Sequence, residues 1–96
     1  MLFRSIAIFN PFQKYDDVIV QANRLPYGLA AYAFTKSSKT VNLLGEQIEA
    51  GMIGINSFAI SVNESPFGGV KESGHGSEEG IEGLDACLVT KFITES

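Results

Sequence analysis

The chain has 96 residues, 45% of them hydrophobic and 19% charged, and its formal net charge is −4. These values are typical of one small globular domain, and an acidic chain without clustered Lys and Arg is not expected to bind nucleic acid. One Cys cannot form an internal disulfide, and one Cys with one His cannot complete a closed zinc site.

No apolar run approaches the roughly 20 residues of a membrane-spanning helix. The opening residues 1–5 are too short for a signal peptide. These observations predict a cytoplasmic protein with no membrane partner, although a longer native form in an organelle is compatible with them.

Short apolar runs alternate with amphipathic segments in the first half of the chain. The runs at 6–9, 30–34 and 52–55 have no polar alternation, which predicts strands that are covered on both faces. The segments 15–25 and 38–49 carry apolar residues at helical spacing and predict two helices. A glycine inside a helix costs about 1 kcal/mol relative to alanine. Gly45, which lies inside the second predicted helix, therefore predicts that another helix packs closely against it.

The second half begins with a long loop. Residues 57–76 lack a regular pattern, and the stretch 63–76 contains four glycines. A loop of this composition on a rigid scaffold is typical of a functional segment. Residues 77–84 then predict a short helix, and 88–94 predict a final strand.

The order of the elements predicts the fold class. Alternating strands and helices favour an α/β fold with a partial, mostly parallel sheet and flanking helices. Three apolar strands need cover on both faces, yet only two substantial helices are available. We therefore expect the chain to be part of a larger α/β domain.

Three motifs carry a family resemblance: NRLPYGLAAY at 23–32, EAGMIGIN at 49–56 and PFGGVKESG at 66–74. In sequence, order and spacing they resemble the C-terminal fifth of the NAD(P)-dependent aldehyde dehydrogenases. Ala59-Ile-Ser61, a few residues before Pro66-Phe-Gly-Gly, is most similar to the succinate-semialdehyde dehydrogenase branch.

The resemblance implies a division of the chain. Residues 6–84 would be the C-terminal part of the catalytic domain, and 85–96 would carry an oligomerisation strand whose contacts at 88–94 build a homo-oligomer. Residues 1–5 do not match the family, which we interpret as a truncated start. The nucleophilic Cys, the Glu base and the domain that binds NAD or NADP would lie upstream, so the chain alone is expected to be inactive.

The resemblance also implies roles for three residues. Ser61 would bind the distal carboxylate of the substrate, Phe67 would line the tunnel for a small aldehyde, and Glu78 would relay a proton from the catalytic base. The alternatives are a serine bonded to its own backbone, simple aromatic packing, and a solvated carboxylate at a helix N-terminus. Ser77 stands where the family usually has arginine, which weakens the expected relay and subunit contact.

Other polar residues are assigned structural roles. Cys87 has no histidine base placed near it by the sequence and is expected to be a small buried residue, while His75 is expected to be an exposed loop residue. Gly74-His-Gly76 lacks the last glycine of the G-x-G-x-x-G motif and does not predict phosphate binding. Asn56 is expected to bond the loop backbone, and Lys71 to reach carbonyls or solvent.

Two functions are compatible with these observations. The first is the C-terminal portion of an oxidoreductase that oxidises an aldehyde, either succinate semialdehyde or another small aldehyde, to a carboxylic acid with NAD or NADP. The second is a stand-alone, non-catalytic module that binds dehydrogenase subunits through its terminal strand.

Overall fold

The computed structural model describes residues 5–96. Within this range the chain forms three helices and four strands that belong to two small sheets. The helices are α1 (Tyr15–Asn23), α2 (Ser38–Gln47) and α3 (Glu82–Asp85). The strands are β1 (Tyr27–Gly28), β2 (Ala30–Ala33), β3 (Met52–Ile55) and β4 (Val70–Lys71).

The centre of the fold is a strand–helix–strand unit. Strands β2 and β3 pair in parallel, from Ala30 opposite Met52 to Ala33 opposite Ile55, and α2 connects them. The Ser37 hydroxyl caps α2 by accepting a 3.3 Å hydrogen bond from the Thr40 amide. This unit confirms the predicted alternation of strand, helix and strand, and β3 has the predicted bounds.

The core lies around α2 and β3. Leu44 and Met52 are the hydrophobic side chains that are buried in the described chain, at 8% and 7% exposure, and Thr40 is buried as well. The close neighbour predicted at Gly45 is wrong, because a Cβ built there would meet no atom within 4 Å.

The second sheet was not predicted. Strand β1 pairs antiparallel with β4, with Tyr27 opposite Lys71 and Gly28 opposite Val70. Sequence patterns placed β4 in the loop, because a two-residue strand is too short to show a period. The described chain therefore has one parallel and one antiparallel pair, and the larger, mostly parallel sheet stays a prediction.

Two predicted strands are absent from residues 5–96. Residues 6–9 and 88–94 form no strand, and Phe9, Val89 and Phe92 are 90%, 93% and 86% exposed. Apolar composition reports a preference for burial, but a strand also needs a hydrogen-bonding neighbour, which these segments lack in the described chain. The short helix predicted at 77–84 is shifted to Glu82–Asp85.

Across residues 5–96, none of the helices has both the length and the apolar character that crossing a membrane requires.

Candidate functional site

The loop between β3 and α3 folds back on itself. Phe67 and Glu78 form an isolated antiparallel bridge in which each amide donates to the other's carbonyl at 2.7 Å. The Gly80 amide also donates to the Asn63 carbonyl at 3.0 Å. Residues far apart in the loop are thus brought together by backbone hydrogen bonds.

A side-chain contact closes the same loop. The Ser61 hydroxyl donates to the Glu79 carboxylate, with its Oγ 3.0 Å from Oε1 and 3.2 Å from Oε2. Ser61 is exposed and Glu79 is half-buried. The contact differs from the local serine–backbone bond weighed as the alternative, because its partner is a side chain 18 residues further along the chain.

The three site residues predicted from the sequence lie in this loop. Phe67 is half-buried, whereas Ser61 and Glu78 are exposed. The structure joins Phe67 to Glu78 through the backbone and joins Ser61 to the residue after Glu78. Their roles towards substrate and proton stay predictions.

Sequence reasoning missed Glu79. Its backbone has a φ of +58°, a conformation that residues other than glycine adopt uncommonly. The only signal in the sequence is a pair of glutamates before Gly80. That pair does not reveal that the chain returns to Ser61.

An open cavity of about 390 Å³ lies between β3 and the start of the loop. Its size falls in the range of small-molecule sites. Ser61 and Phe67 lie outside its lining, which is formed by residues 51–55, Ser57, Ala59, Ile60, Val62, Ser65 and Pro66.

Lys71, in β4, holds the middle of the loop. Its ammonium donates to the carbonyls of Asn23 at 3.1 Å and Leu25 at 3.3 Å, and it forms an ion pair with Glu49. The φ of Lys71 is +56°. The predicted structural role of this lysine is confirmed.

Asn56 comes directly after β3 and binds the chain beyond β2. Its side-chain Nδ2 donates to the Thr35 carbonyl at 2.8 Å, and its side-chain Oδ1 accepts from the Thr35 backbone amide at 2.9 Å. Both bonds are to loop backbone, as the sequence predicted.

Two further expectations concern Cys87 and His75. Cys87 is exposed, so the prediction of a buried cysteine is wrong, because α3 ends at Asp85 and no described segment covers the residues after it. His75 is exposed, as predicted. Among residues 5–96, no three His, Cys, Asp or Glu side chains are grouped for a metal ion.

The family of the chain is decided by its similarity to known proteins. The model of the "Aldehyde dehydrogenase family" matches residues 2–93. The chain belongs to the aldehyde dehydrogenase family.

Similar sequences include several dehydrogenases. The 4-(hydroxymethyl)benzenesulfonate dehydrogenase of Comamonas testosteroni is 50% identical over 91 residues, which cover 95% of this chain and 19% of that protein. The succinate-semialdehyde dehydrogenase of Paenarthrobacter nicotinovorans is 41% identical and is matched over 96% of this chain and 20% of its own length. The chain thus spans about a fifth of these relatives.

Solved aldehyde dehydrogenases share the fold. The enzyme from Brucella melitensis biovar abortus 2308 matches with a TM-score of 0.80 and 43% identity, over 85% of this chain and 17% of that structure. The NAD+ complex of the Bacillus cereus enzyme matches with a TM-score of 0.76 and 39% identity, over 79% of this chain and 16% of that structure.

The relatives include proteins named for NAD and for NADP, and the family uses one or the other. The described residues do not fit a dinucleotide phosphate. The glycines Gly74 and Gly76 lack the third glycine of the fingerprint, and α3 is only four residues long.

Proposed function

We propose that this segment works within a longer NAD(P)-dependent aldehyde dehydrogenase that oxidises succinate semialdehyde to the corresponding acid. The observation that carries the proposal is Ser61, which is exposed on the folded-back loop of a chain that belongs to this family. The nucleophile, the base and the dinucleotide domain would be supplied by the rest of that polypeptide.

Each site residue has a distinct role in the proposal. The Ser61 hydroxyl donates a directed hydrogen bond to the distal carboxylate of the substrate. The Phe67 ring forms one wall of the aldehyde tunnel and excludes water from it. Glu78 relays a proton from the base that activates water, and its backbone bridge to Phe67 supports a shared location for the two residues.

The names of similar proteins support a substrate with a distal anion. One relative is named for a benzenesulfonate, another for succinate semialdehyde and a third for aspartate semialdehyde. Each of these compounds carries a sulfonate or a carboxylate away from the reacting carbon. A hydroxyl donor such as Ser61 suits either group.

Residues 88–94 are proposed to pair across a subunit interface of a homo-oligomer. Leu88, Val89, Phe92 and Ile93 are all exposed in the described chain. Pairing would cover this apolar surface and would satisfy the backbone groups of the segment. The proposal predicts a strand here in the assembled enzyme.

The test uses a chimaera in which residues 6–96 replace the matching segment of the Brucella melitensis enzyme. Ser61→Ala should lower kcat/KM for succinate semialdehyde by about tenfold, which is near the lower end of the range for a hydrogen bond to a charged group. Activity on butanal, which has the same chain length and no charge, should change by less than about twofold because it offers Ser61 no acceptor.

Ser38→Ala is the control, because Ser38 lies at the start of α2 and outside the loop. An equal effect of Ser61→Ala on both aldehydes, or no effect on either, would contradict the proposed role.

A further inference from the structure

We propose that Glu79 is a specificity-determining residue of the aldehyde site. Its carboxylate holds the Ser61 hydroxyl and so reduces, without abolishing, the preference for aldehydes that carry a distal anionic group over uncharged aldehydes of the same length. This inference rests on the proposed function, because it takes Ser61 as the substrate contact.

The hydrogen bond creates a competition for one proton. A serine hydroxyl has a single O–H, and an ionised carboxylate only accepts. The Ser61 proton is directed at Glu79, with Oγ 3.0 and 3.2 Å from the two carboxylate oxygens. A substrate carboxylate can receive that proton only if the Ser61–Glu79 bond breaks, so part of the binding free energy is lost in the exchange.

Charge adds to this competition. A carboxylate oxygen at ordinary hydrogen-bond distance from Ser61 Oγ would lie within about 6 Å of the Glu79 carboxylate. Like charges at that separation repel each other measurably even near the surface.

The surrounding segment offers no cation to offset the repulsion. Residues 61–87 contain six acidic residues and one basic residue, Lys71, which is paired with Glu49. The acidic residues are Glu64, Glu72, Glu78, Glu79, Glu82 and Asp85. An uncharged aldehyde is not repelled by these negative charges.

The backbone positions Glu79 rather than leaving it mobile. The residue before it is bridged to Phe67, and the amide of the residue after it is bonded to the Asn63 carbonyl at 3.0 Å. Glu79 itself adopts a φ of +58°, which a non-glycine residue keeps only where its surroundings impose it. The carboxylate is therefore presented to Ser61 by a backbone that is held on both sides.

The experiment measures kcat/KM for succinate semialdehyde and for butanal in the same chimaera. Glu79→Gln keeps the size of the side chain and removes its charge. It should raise kcat/KM for succinate semialdehyde by about threefold to tenfold, the range expected for one partly screened charge. The kcat/KM for butanal should change by less than about twofold. The gain should shrink at high salt.

Glu64→Gln is the matched control, since it removes the same charge from an exposed position in the same loop. Equal changes with Glu79→Gln and Glu64→Gln would overturn the inference, because the effect would then reflect net charge alone. The inference would also be overturned if Glu79→Gln left the ratio of the two kcat/KM values, for succinate semialdehyde and for butanal, unchanged.

The single variants, together with the double variant Ser61→Ala with Glu79→Gln, separate the two proposals. If Ser61→Ala has no effect and the double variant gains as much as Glu79→Gln alone, the serine contact and the competition for its proton are refuted, and only the charge effect of Glu79 stands. If Ser61→Ala lowers activity on succinate semialdehyde and Glu79→Gln leaves the ratio unchanged, the proposed function stands and the role of Glu79 is refuted.

Discussion

The Lys71 ammonium forms an ion pair with the Glu49 carboxylate and so connects β4, within the loop that follows β3, to the turn before β3. The same ammonium donates to the carbonyls of Asn23 and Leu25, next to the end of α1. One side chain thus joins three segments that are far apart in the sequence.

Lys71→Met should open the β1–β4 pair more often. It keeps the aliphatic stem and removes three contacts, which we expect to lower the local free energy of opening by about 1–2 kcal/mol. Amide hydrogen exchange of the chimaera should therefore be roughly 5 to 30 times faster at Gly28 and Glu72.

The companion variant Glu49→Gln should have a smaller effect, about 0.5 kcal/mol. The reason is that the Glu49 side chain is 54% exposed and Lys71 retains its carbonyl partners. Equal exchange in Lys71→Met and the parent would show that these contacts do not stabilise the pair.

Asn56→Ala should lower the melting temperature of the chimaera. The change removes two hydrogen bonds to Thr35. It also places alanine, which has a Cβ but no polar group, at a φ of +54°. Together these losses are expected to cost about 2–3 kcal/mol. Asn56→Gly loses the same bonds but adopts positive φ freely, so it should cost less. A glycine variant that is less stable than the alanine variant would contradict this explanation.

Gly51→Ala should be strongly destabilising, because a Cβ there would lie 2.0 Å from the Gly68 carbonyl oxygen. The obstructing atom is backbone, so relief requires the loop to move away from β3, at an expected cost of about 2–4 kcal/mol. Gly45→Ala is the matched control inside α2, where nothing lies within 4 Å, and it should stabilise by about 1 kcal/mol. The melting temperature of the chimaera should fall with Gly51→Ala and rise with Gly45→Ala.

Glu78→Gln tests the proposed proton relay. Loss of a relay should slow deacylation and lower kcat by about tenfold, while the initial burst of reduced cofactor remains. Glu82→Gln, in the first turn of α3, is the control for charge. If kcat and the burst both match the parent, Glu78 is only a solvated carboxylate.

Local patterns were reliable where an element is defined by its own residues. The apolar run at Met52–Ile55 and the helical spacing of apolar residues in 38–49 predicted the parallel unit, because such periodicity acts over a few residues. The terminal runs failed for a related reason. The apolar residues of 6–9 and 88–94 state a preference for burial, but a strand exists only beside a partner.

The sequence alone therefore determined the family, the central strand–helix–strand unit and a loop that contains Ser61 and Phe67, whereas it placed Glu78 in a helix that begins only at Glu82. Only the tertiary structure revealed that Glu79 binds Ser61 and that Phe67 pairs with Glu78. Both contacts depend on where the loop reverses direction, and that reversal is set by backbone bonds and positive φ values distributed along it. No short pattern of residue types encodes such a distant meeting.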